Sequence, residues 1–329
     1  MKKTLIASAV AAATFSGAAL AQESNLPTVY GNIQLAVAHD SVDGGPSSLN
    51  HFDNGSTLGV LHDHEIAPGT EGFFKAELHF DADDNNGEND GIYEIDEAYV
   101  GVRGDNFGQI WVGKDDSTYE TAVTEISEFF EVAVLNIGVD YTTGEGDLIQ
   151  YRSPSFGGLT LGAGVQINGD VENADKSYPY QLAAIYNVDA LELAVAVDSN
   201  DNGDNDGENT YGLRASYDMD ALRLTGEFHT RKDVGDVYGV MGVYTLGANQ
   251  FALAYEHAKA DNAADTKRDT VTLQALHNVS DNLYVYVEGY LGGGDDIYGY
   301  DFEVGDDVGG NTPVSDERSI AAVGATYYF

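Results

Sequence analysis

The sequence predicts an all-β protein, a transmembrane up-and-down antiparallel barrel of about sixteen strands. Three observations carry this. From Thr28 to the C-terminus the hydrophobicity alternates with period two, as strands with one apolar and one polar face require. The connections between these runs alternate between short and long. Only one extended stretch, Lys114 to Gly146, reads as neither strand nor tight turn.

The chain opens with a secretory signal. Lys2 and Lys3 supply a positive end, Leu5 to Phe15 is an alanine-rich apolar run, and Ala19-Leu20-Ala21 is an A-x-A cleavage site. Residues 1–21 are expected to be removed, leaving 22–329 as one barrel domain. The apolar run is shorter than the roughly 20 residues of a membrane-spanning helix.

Period two is clearest in two runs. In Tyr211 to Tyr217 the apolar face is Tyr211, Leu213, Ala215 and Tyr217, and the polar face is Gly212, Arg214 and Ser216. In Ala221 to His229, Leu222, Leu224, Gly226 and Phe228 oppose Arg223, Thr225, Glu227 and His229. Short links such as Ala67-Pro68-Gly69, Val188-Asp189-Ala190, Asp218-Met219-Asp220 and Gly247-Ala248-Asn249 alternate with longer polar ones. The longer ones include Ser41 to Gly55, Asp81 to Ile92, Asn168 to Pro179, Ser199 to Glu208 and Gly292 to Asp316. Short turns at one end and long loops at the other mark a membrane barrel, because backbone in lipid must be fully paired and a closed barrel achieves that. An even strand count places both termini on the periplasmic side and the long loops outside. Tyr30, Tyr151, Tyr217, Tyr284, Tyr286, Tyr327 and Phe329 lie near strand ends and are expected to form the interfacial girdles. The last strand should meet the first, Val29 to Val37, to remove both edges.

The exceptional stretch begins with a capping box, Ser117-x-x-Glu120. After it, Ala122, Val123, Ile126, Phe129 and Phe130 share one helical face. Glu120, Thr121, Thr124, Glu125, Glu128 and Glu131 share the other. The expected element is a short helix that leans an apolar side on something and turns carboxylates to water.

Composition narrows the function. Lys plus Arg is 15 against Asp plus Glu 55, a formal charge of -40, which excludes nucleic acid as a natural partner. There is no cysteine, hence no disulfide and no thiolate metal site. At 43% hydrophobic residues the chain is not of disordered composition.

Several stretches together resemble the Gram-negative general diffusion porin family over the whole mature length. They are Val29-Tyr30-Gly31, Ala98 to Val102, Phe107-Gly108-Gln109-Ile110-Trp111-Val112-Gly113-Lys114, Tyr151 to Gly158, and the terminal Tyr327-Tyr328-Phe329. The resemblance implies a homotrimer in the outer membrane of a Gram-negative bacterium, among lipid and lipopolysaccharide. It implies a third long loop that folds inward and narrows the lumen. It also implies that the aromatic terminus, Tyr327 and Phe329, is read by the barrel assembly machinery.

In that family, acids of the inward loop oppose bases on the wall. Ile126-Ser127-Glu128-Phe129 resembles the family's P-E-F-G-G stretch, with Ser127, Phe130 and Glu131 in place of the proline and glycines. Glu128 is the best-matched loop acid and Glu125 the next. On the wall, Gln150 and Arg152 point inward by parity with Tyr151. Lys114 follows glycine where the family has arginine, although its parity with Ile110 and Val112 sends it outward unless the strand ends there. Thr57 and Asn32 stand where the family carries further basic residues. The constriction candidates are therefore Glu125, Glu128, Arg152, Lys114, Thr57 and Gln150. A depleted basic side predicts cation preference.

Two stretches carry partial metal motifs. His62-Asp63-His64-Glu65 puts two imidazoles on one strand face but shows no third ligand. Asp198-x-Asn200-x-Asn202-Gly203 matches half a calcium loop, with Glu208 one residue early. Solvated charge is the preferred reading of the acidic loops, with at most weakly bound calcium or magnesium and no other cofactor. The expected function is a non-enzymatic channel for small hydrophilic solutes and ions. A barrel serving as adhesin or loop scaffold, or a barrel hydrolase, are the alternatives; no G-x-S-x-G supports the last.

Overall fold

The computed structural model describes residues 26–45, 47–83, 92–133, 135, 137, 141–167, 177–201, 207–261, 264–299, 302–303, 306–307 and 314–329. Residues 1–21, the expected signal segment, and Asn202 lie outside them. The first strands are β1 (Thr28–Val42), β2 (Ser47–Asp53), β3 (Thr57–Ala67), β4 (Thr70–Phe80), β5 (Ile92–Gly104) and β6 (Gly108–Lys114). Helix α1 (Thr118–Val123) follows. Then come β7 (Leu148–Arg152), β8 (Leu159–Gln166), β9 (Tyr180–Val188), β10 (Leu191–Asp198), β11 (Thr210–Met219) and β12 (Leu222–Arg231). The chain continues with β13 (Gly235–Leu246), β14 (Asn249–Ala260), β15 (Lys267–Ser280) and β16 (Leu283–Gly299). It ends with the two-residue β17 (Phe302–Glu303) and β18 (Asp306–Asp307), then β19 (Val314–Tyr328).

Antiparallel neighbours run round the molecule in chain order and the sheet closes on itself. Strand β1 pairs with β2 over Leu35 to Ser41 and with β3 over Thr28 to Asn32, so β2 and β3 are two lengths of one stave. Strands β17 and β18 pair with each other. Among the described residues the wall is thus a sixteen-stave barrel, as the alternation predicted.

The seam joins β1 to β19 from Asn32 opposite Tyr328 to Val42 opposite Arg318. Phe329 completes it: its N–H donates to the Gly31 carbonyl at 3.0 Å, and Gly31 N–H donates back at 3.1 Å. On the inner face Arg318 and Asp40 form a buried ion pair across the seam, with Nε 2.9 Å from Oδ1. Closure leaves no edge backbone to meet lipid, where each unpaired group costs several kcal/mol.

The alternation runs opposite to that of a soluble protein. On β11, Leu213 is 49% exposed on the outside while Arg214, on the inside, is 8% exposed. On β14, Leu253 and Tyr255 face out while Gln250 and Glu256 are buried inside. The tight turns at one end include Asp189 (φ 51) and Asp220 (φ 48), left-handed positions that aspartate tolerates better than most residues.

The girdle expectation is corrected in part. Tyr151, Tyr217, Tyr327 and Phe329 are exposed, but Tyr30, Tyr284 and Tyr286 are buried. Tyr284 and Tyr286 share a strand face with Glu288 and Tyr290 and belong to a hydrophobic cluster formed with the inward loop. Two long connections are also shorter than expected. Much of Ser41 to Gly55 is the β1–β2 hairpin, and β16 continues through Gly292 to Gly299.

Candidate functional site

The loop between β6 and β7 enters the lumen, and wall residues explain its path. At its neck Asp115 N–H donates to the Glu145 carbonyl (3.0 Å), and Trp111 Nε1 donates to Asp115 Oδ2 (2.6 Å). Ser117 caps α1, its Oγ accepting from Glu120 N–H at 3.3 Å. The helix ends at Val123, well short of the expected run to Glu131. The reason is competition for its hydrogen bonds. Glu227 Oε1 on β12 takes the N–H groups of Glu125 and Ile126 at 2.6 and 2.9 Å, and Arg214 Nε donates to the Ala122 carbonyl at 3.0 Å. Those donors and that acceptor would otherwise continue the helix.

Further along, other wall side chains hold the loop backbone. Glu288 accepts from Glu131 N–H and Val132 N–H (2.8 and 3.0 Å), Tyr290 Oη from Ala133 N–H (2.9 Å), and Glu256 from Ile137 N–H (3.2 Å). The apolar face lands as expected: Ala122, Val123, Ile126, Phe129 and Phe130 are buried. Part of the seat is glycine. A Cβ at Gly212 would lie 2.6 Å from Tyr119 Oη and from a Val123 methyl, and one at Gly239 would lie 2.8 Å from Ile126 Cδ1. Close approach here requires the missing side chain.

The polar face does not sit as expected. Glu125 is not open to the water path. Arg223 Nε and Nη2 reach its two oxygens at 2.8 and 2.9 Å, Arg214 Nη1 lies at 2.5 Å, and Ser216 and Thr225 donate hydroxyls. Burial alone would raise its carboxyl, but hydrogen bonds from Arg223 and the charges of both arginines hold it at about 2. Glu131 accepts from Tyr284 Oη (3.0 Å) and is pushed up to about 8 by burial and by Glu288. Glu120 accepts from Tyr141 Oη (3.1 Å) and is pushed up to about 7, chiefly by burial and then by Glu128. Thr124 is buried. Thr121 and Glu128 are the exposed members of the row; Glu128 is bonded to its neighbour Ser127, and desolvation in the lumen followed by acidic neighbours raises it.

The wall strands β1, β3, β4 and β5 and the loop neck carry a second group of charges. Asn32 Nδ2 donates to Thr57 Oγ1 (2.9 Å), so the two neutral replacements meet. Near them Glu77, Asp96 and Glu97 bring carboxylate oxygens within 4.8 Å of one another, as do Asp116, Glu120 and Glu145 at the loop neck. Lys75 Nζ is 2.7 Å from Glu97 and His79 Nε2 is 3.4 Å from Asp96. Asp115 and Asp116 are both pushed up to about 7, first by burial and then by the acids around them.

The remaining sequence candidates are dispersed. Gln150 is buried and anchors the loop, accepting from Thr118 Oγ1 (2.7 Å) and donating to the Asp116 carbonyl (2.9 Å). Arg152 follows Gln150 on the inner register but belongs to the short-turn end, where it lines a pocket with Glu65, Glu71, Arg103 and Gln109. It does not oppose Glu125; Arg214 and Arg223 do. Lys114 is the last residue of its strand, and its ammonium is drawn to Glu145 (2.8 Å) and the Asp96 carbonyl (2.9 Å). The half calcium loop is used otherwise. Asp198 accepts from Gln181, Asn200 bonds Thr142, Thr210 and the Glu208 carbonyl, and Glu208 pairs with Lys232. His62 and His64 stack 5.2 Å apart on a strand face opposite Asp63, which pairs with Arg103.

Sequence reading missed Arg214, Arg223, Glu227, Glu256 and Glu288. The signal was present: each is a charge on the polar register of its strand, the register that faces the inside of a barrel.

A family model describing Gram-negative porins matches residues 7–296. Over the full length of both chains, this one is 28% identical to the monosaccharide porin of Halomonas sp. An anion-selective porin from Comamonas acidovorans superposes with a TM-score of 0.73 at 20% identity, covering 92% of this chain and 99% of that one. The trimer form of OmpT from Vibrio cholerae superposes with a TM-score of 0.60 at 15% identity, covering 92% and 99%.

Proposed function

This chain belongs to the Gram-negative porin family, and from that premise we propose a trimeric outer-membrane channel that favours cations over anions. Outer-membrane location and passive, non-enzymatic diffusion come with the family. Cation preference is carried by one observation: the arginines that meet the loop's carboxylates, Arg214 and Arg223, are spent on Glu125, Glu192 and Asp218, while Arg268 donates to the Leu135 carbonyl of the loop. The acids left near the loop neck and tip are Glu77, Asp96, Glu97, Asp115, Asp116, Glu120 and Glu128, against Lys75 and Lys114. Carboxylates along a narrow aqueous path concentrate cations and repel anions.

The formal charge of -40 adds a negative mouth, but exposed loop charge is screened within about 8 Å at physiological salt. The preference should therefore persist at high salt, where only the narrow part still acts. The Comamonas relative is described as anion-selective, so the fold itself does not fix the sign. Reversal potentials in a KCl gradient across planar bilayers test the reading. A potential of the cationic sign supports it, and an anionic sign overturns it. The adhesin alternative predicts no conductance. Crosslinking in detergent tests the trimer.

A further inference from the structure

Lys75 on β4 stands apart from the other inward bases. Its Nζ lies 2.7 Å from Glu97, 3.9 Å from Glu77 and 5.8 Å from the centroid of the Tyr30 ring. Asp96 completes a set of three carboxylates whose oxygens lie within 4.8 Å of one another. Arg214 and Arg223 are fixed under the loop by Glu125, and Lys114 is held at the neck by Glu145. Arg103 sits nearer the short turns with Asp63 and Glu71. Lys75 is thus the lysine set within the acidic band itself.

Within the set the Lys75 ammonium faces Glu97 and Glu77, while Asp96 has His79 at 3.4 Å and the Lys114 ammonium on its carbonyl. The ammonium is also a compact charge on a four-carbon stem with rotatable donors, chemically close to the monovalent cations that would travel past it. It engages the oxygens a passing cation would use, and it faces an aromatic ring that favours positive charge.

We propose that Lys75 is a tethered counter-ion that competes with permeating cations for Glu97 and Glu77 and thereby limits the selectivity of the pore. The proposal rests on the cation-channel reading above. It assigns Lys75 a role in specificity that neither a wall lysine far from acids nor a buried arginine could fill.

The test uses the full mature protein in planar bilayers under a KCl gradient, with folding checked by heat-modifiable electrophoretic mobility. Lys75→Met should raise the potassium-to-chloride permeability ratio by about two- to threefold, and Lys75→Arg should leave it near wild type. Lys75→Gln gives the same information if the methionine variant does not assemble. Competition for a shared partner adds a second requirement: in a Glu97→Gln background the effect of Lys75→Met should shrink by about half or more. An unchanged ratio in conducting Lys75→Met channels overturns the proposal and leaves the channel reading intact. The same rise with and without Glu97 also overturns it, since Lys75 would then act only as a distant charge. A wild-type protein that does not conduct removes the channel reading and the proposal together.

Discussion

Arg223 meets Glu125 side-on, with Nε 2.8 Å from one carboxylate oxygen and Nη2 2.9 Å from the other. Two parallel charge-assisted bonds of this kind fix direction as well as distance. Here they join a wall strand to the loop in the lumen. The acid and the bases that could have faced each other across the water path instead cancel beneath the loop. Glu125 is therefore a fastener of the loop, and the selectivity of the pore must be sought in acids that remain open.

Replacing Glu125 with Gln should consequently act through loop position. Removing Glu125 leaves the two arginines only Glu192 and Asp218 as carboxylate partners, so the loss should stay below the roughly 3 kcal/mol of a fully broken buried pair. The expected outcome is a noisier single-channel current and a fall in cation preference, because Arg214 and Arg223 gain freedom to face water. Arg223→Gln should share the noise but not the fall in preference. Single-channel recording of both variants separates these effects; quiet currents in both would show that the wall carboxylates alone hold the loop.

Glu128→Gln makes the contrasting case. This carboxylate is exposed, bonds only the adjacent Ser127 among the hydrogen bonds described for it, and is raised by the acids around it. Its neutralisation should lower the cation-to-anion permeability ratio by about twofold while conductance noise stays at the wild-type level. The measurement is a reversal potential, and an unaltered ratio would move the filter to the loop neck and the Lys75 wall.

The barrel was legible because each strand repeats the same two-residue code and the turn lengths alternate along the chain. Stave count, the meeting of the last strand with the first and the buried face of the loop all follow from pattern along the chain. The partners of the loop were not legible. Glu125 and Glu128 look equivalent in sequence, three residues apart on one helical face. What separates them is Arg214 and Arg223, some ninety residues later, together with a helix cut short by Glu227. The same limit applies to Tyr284 and Tyr286. Their position near a strand end suggested a girdle, whereas their parity with Glu288 points them inward to the loop.

Selectivity should depend on pH near neutrality. Asp115, Asp116 and Glu120 are pushed up to about 7 by burial and mutual repulsion, so each is neutral below that value and charged above it. Acidifying from about pH 8 to about pH 6 removes negative charge from the neck and should lower cation preference. Glu125 behaves oppositely. Its carboxyl is held at about 2, so the stabilisation it brings is present above the ordinary carboxylate range and is lost only as pH falls through about 2. The loop should thus stay fastened while selectivity changes. Permeability ratios and current noise recorded across this range check both halves; noise that rises together with the loss of selectivity would mean the loop itself is moving.

The seat of the loop makes the last prediction. Gly212 lies on the inner face of β11, and the nearest atoms to an added Cβ would be Tyr119 Oη and a Val123 methyl at 2.6 Å, both from α1. Tyr119 is also held by His229 Nδ1 at 2.8 Å, and its N–H donates to Gln181 Oε1 at 2.7 Å, so the ring cannot swing aside without losing a bond. Overpacking of this kind costs about 1–3 kcal/mol. The barrel itself is unaffected, because its ladder bonds from Gly212 to Ala196 and His229 use backbone alone. Gly212→Ala should therefore assemble normally and lift α1 off the wall toward the opposite acids, narrowing the path. Single-channel conductance should fall, and Gly212→Val should lower it further. A conductance equal to wild type in both variants would show that α1 is not the wall of the narrowest part.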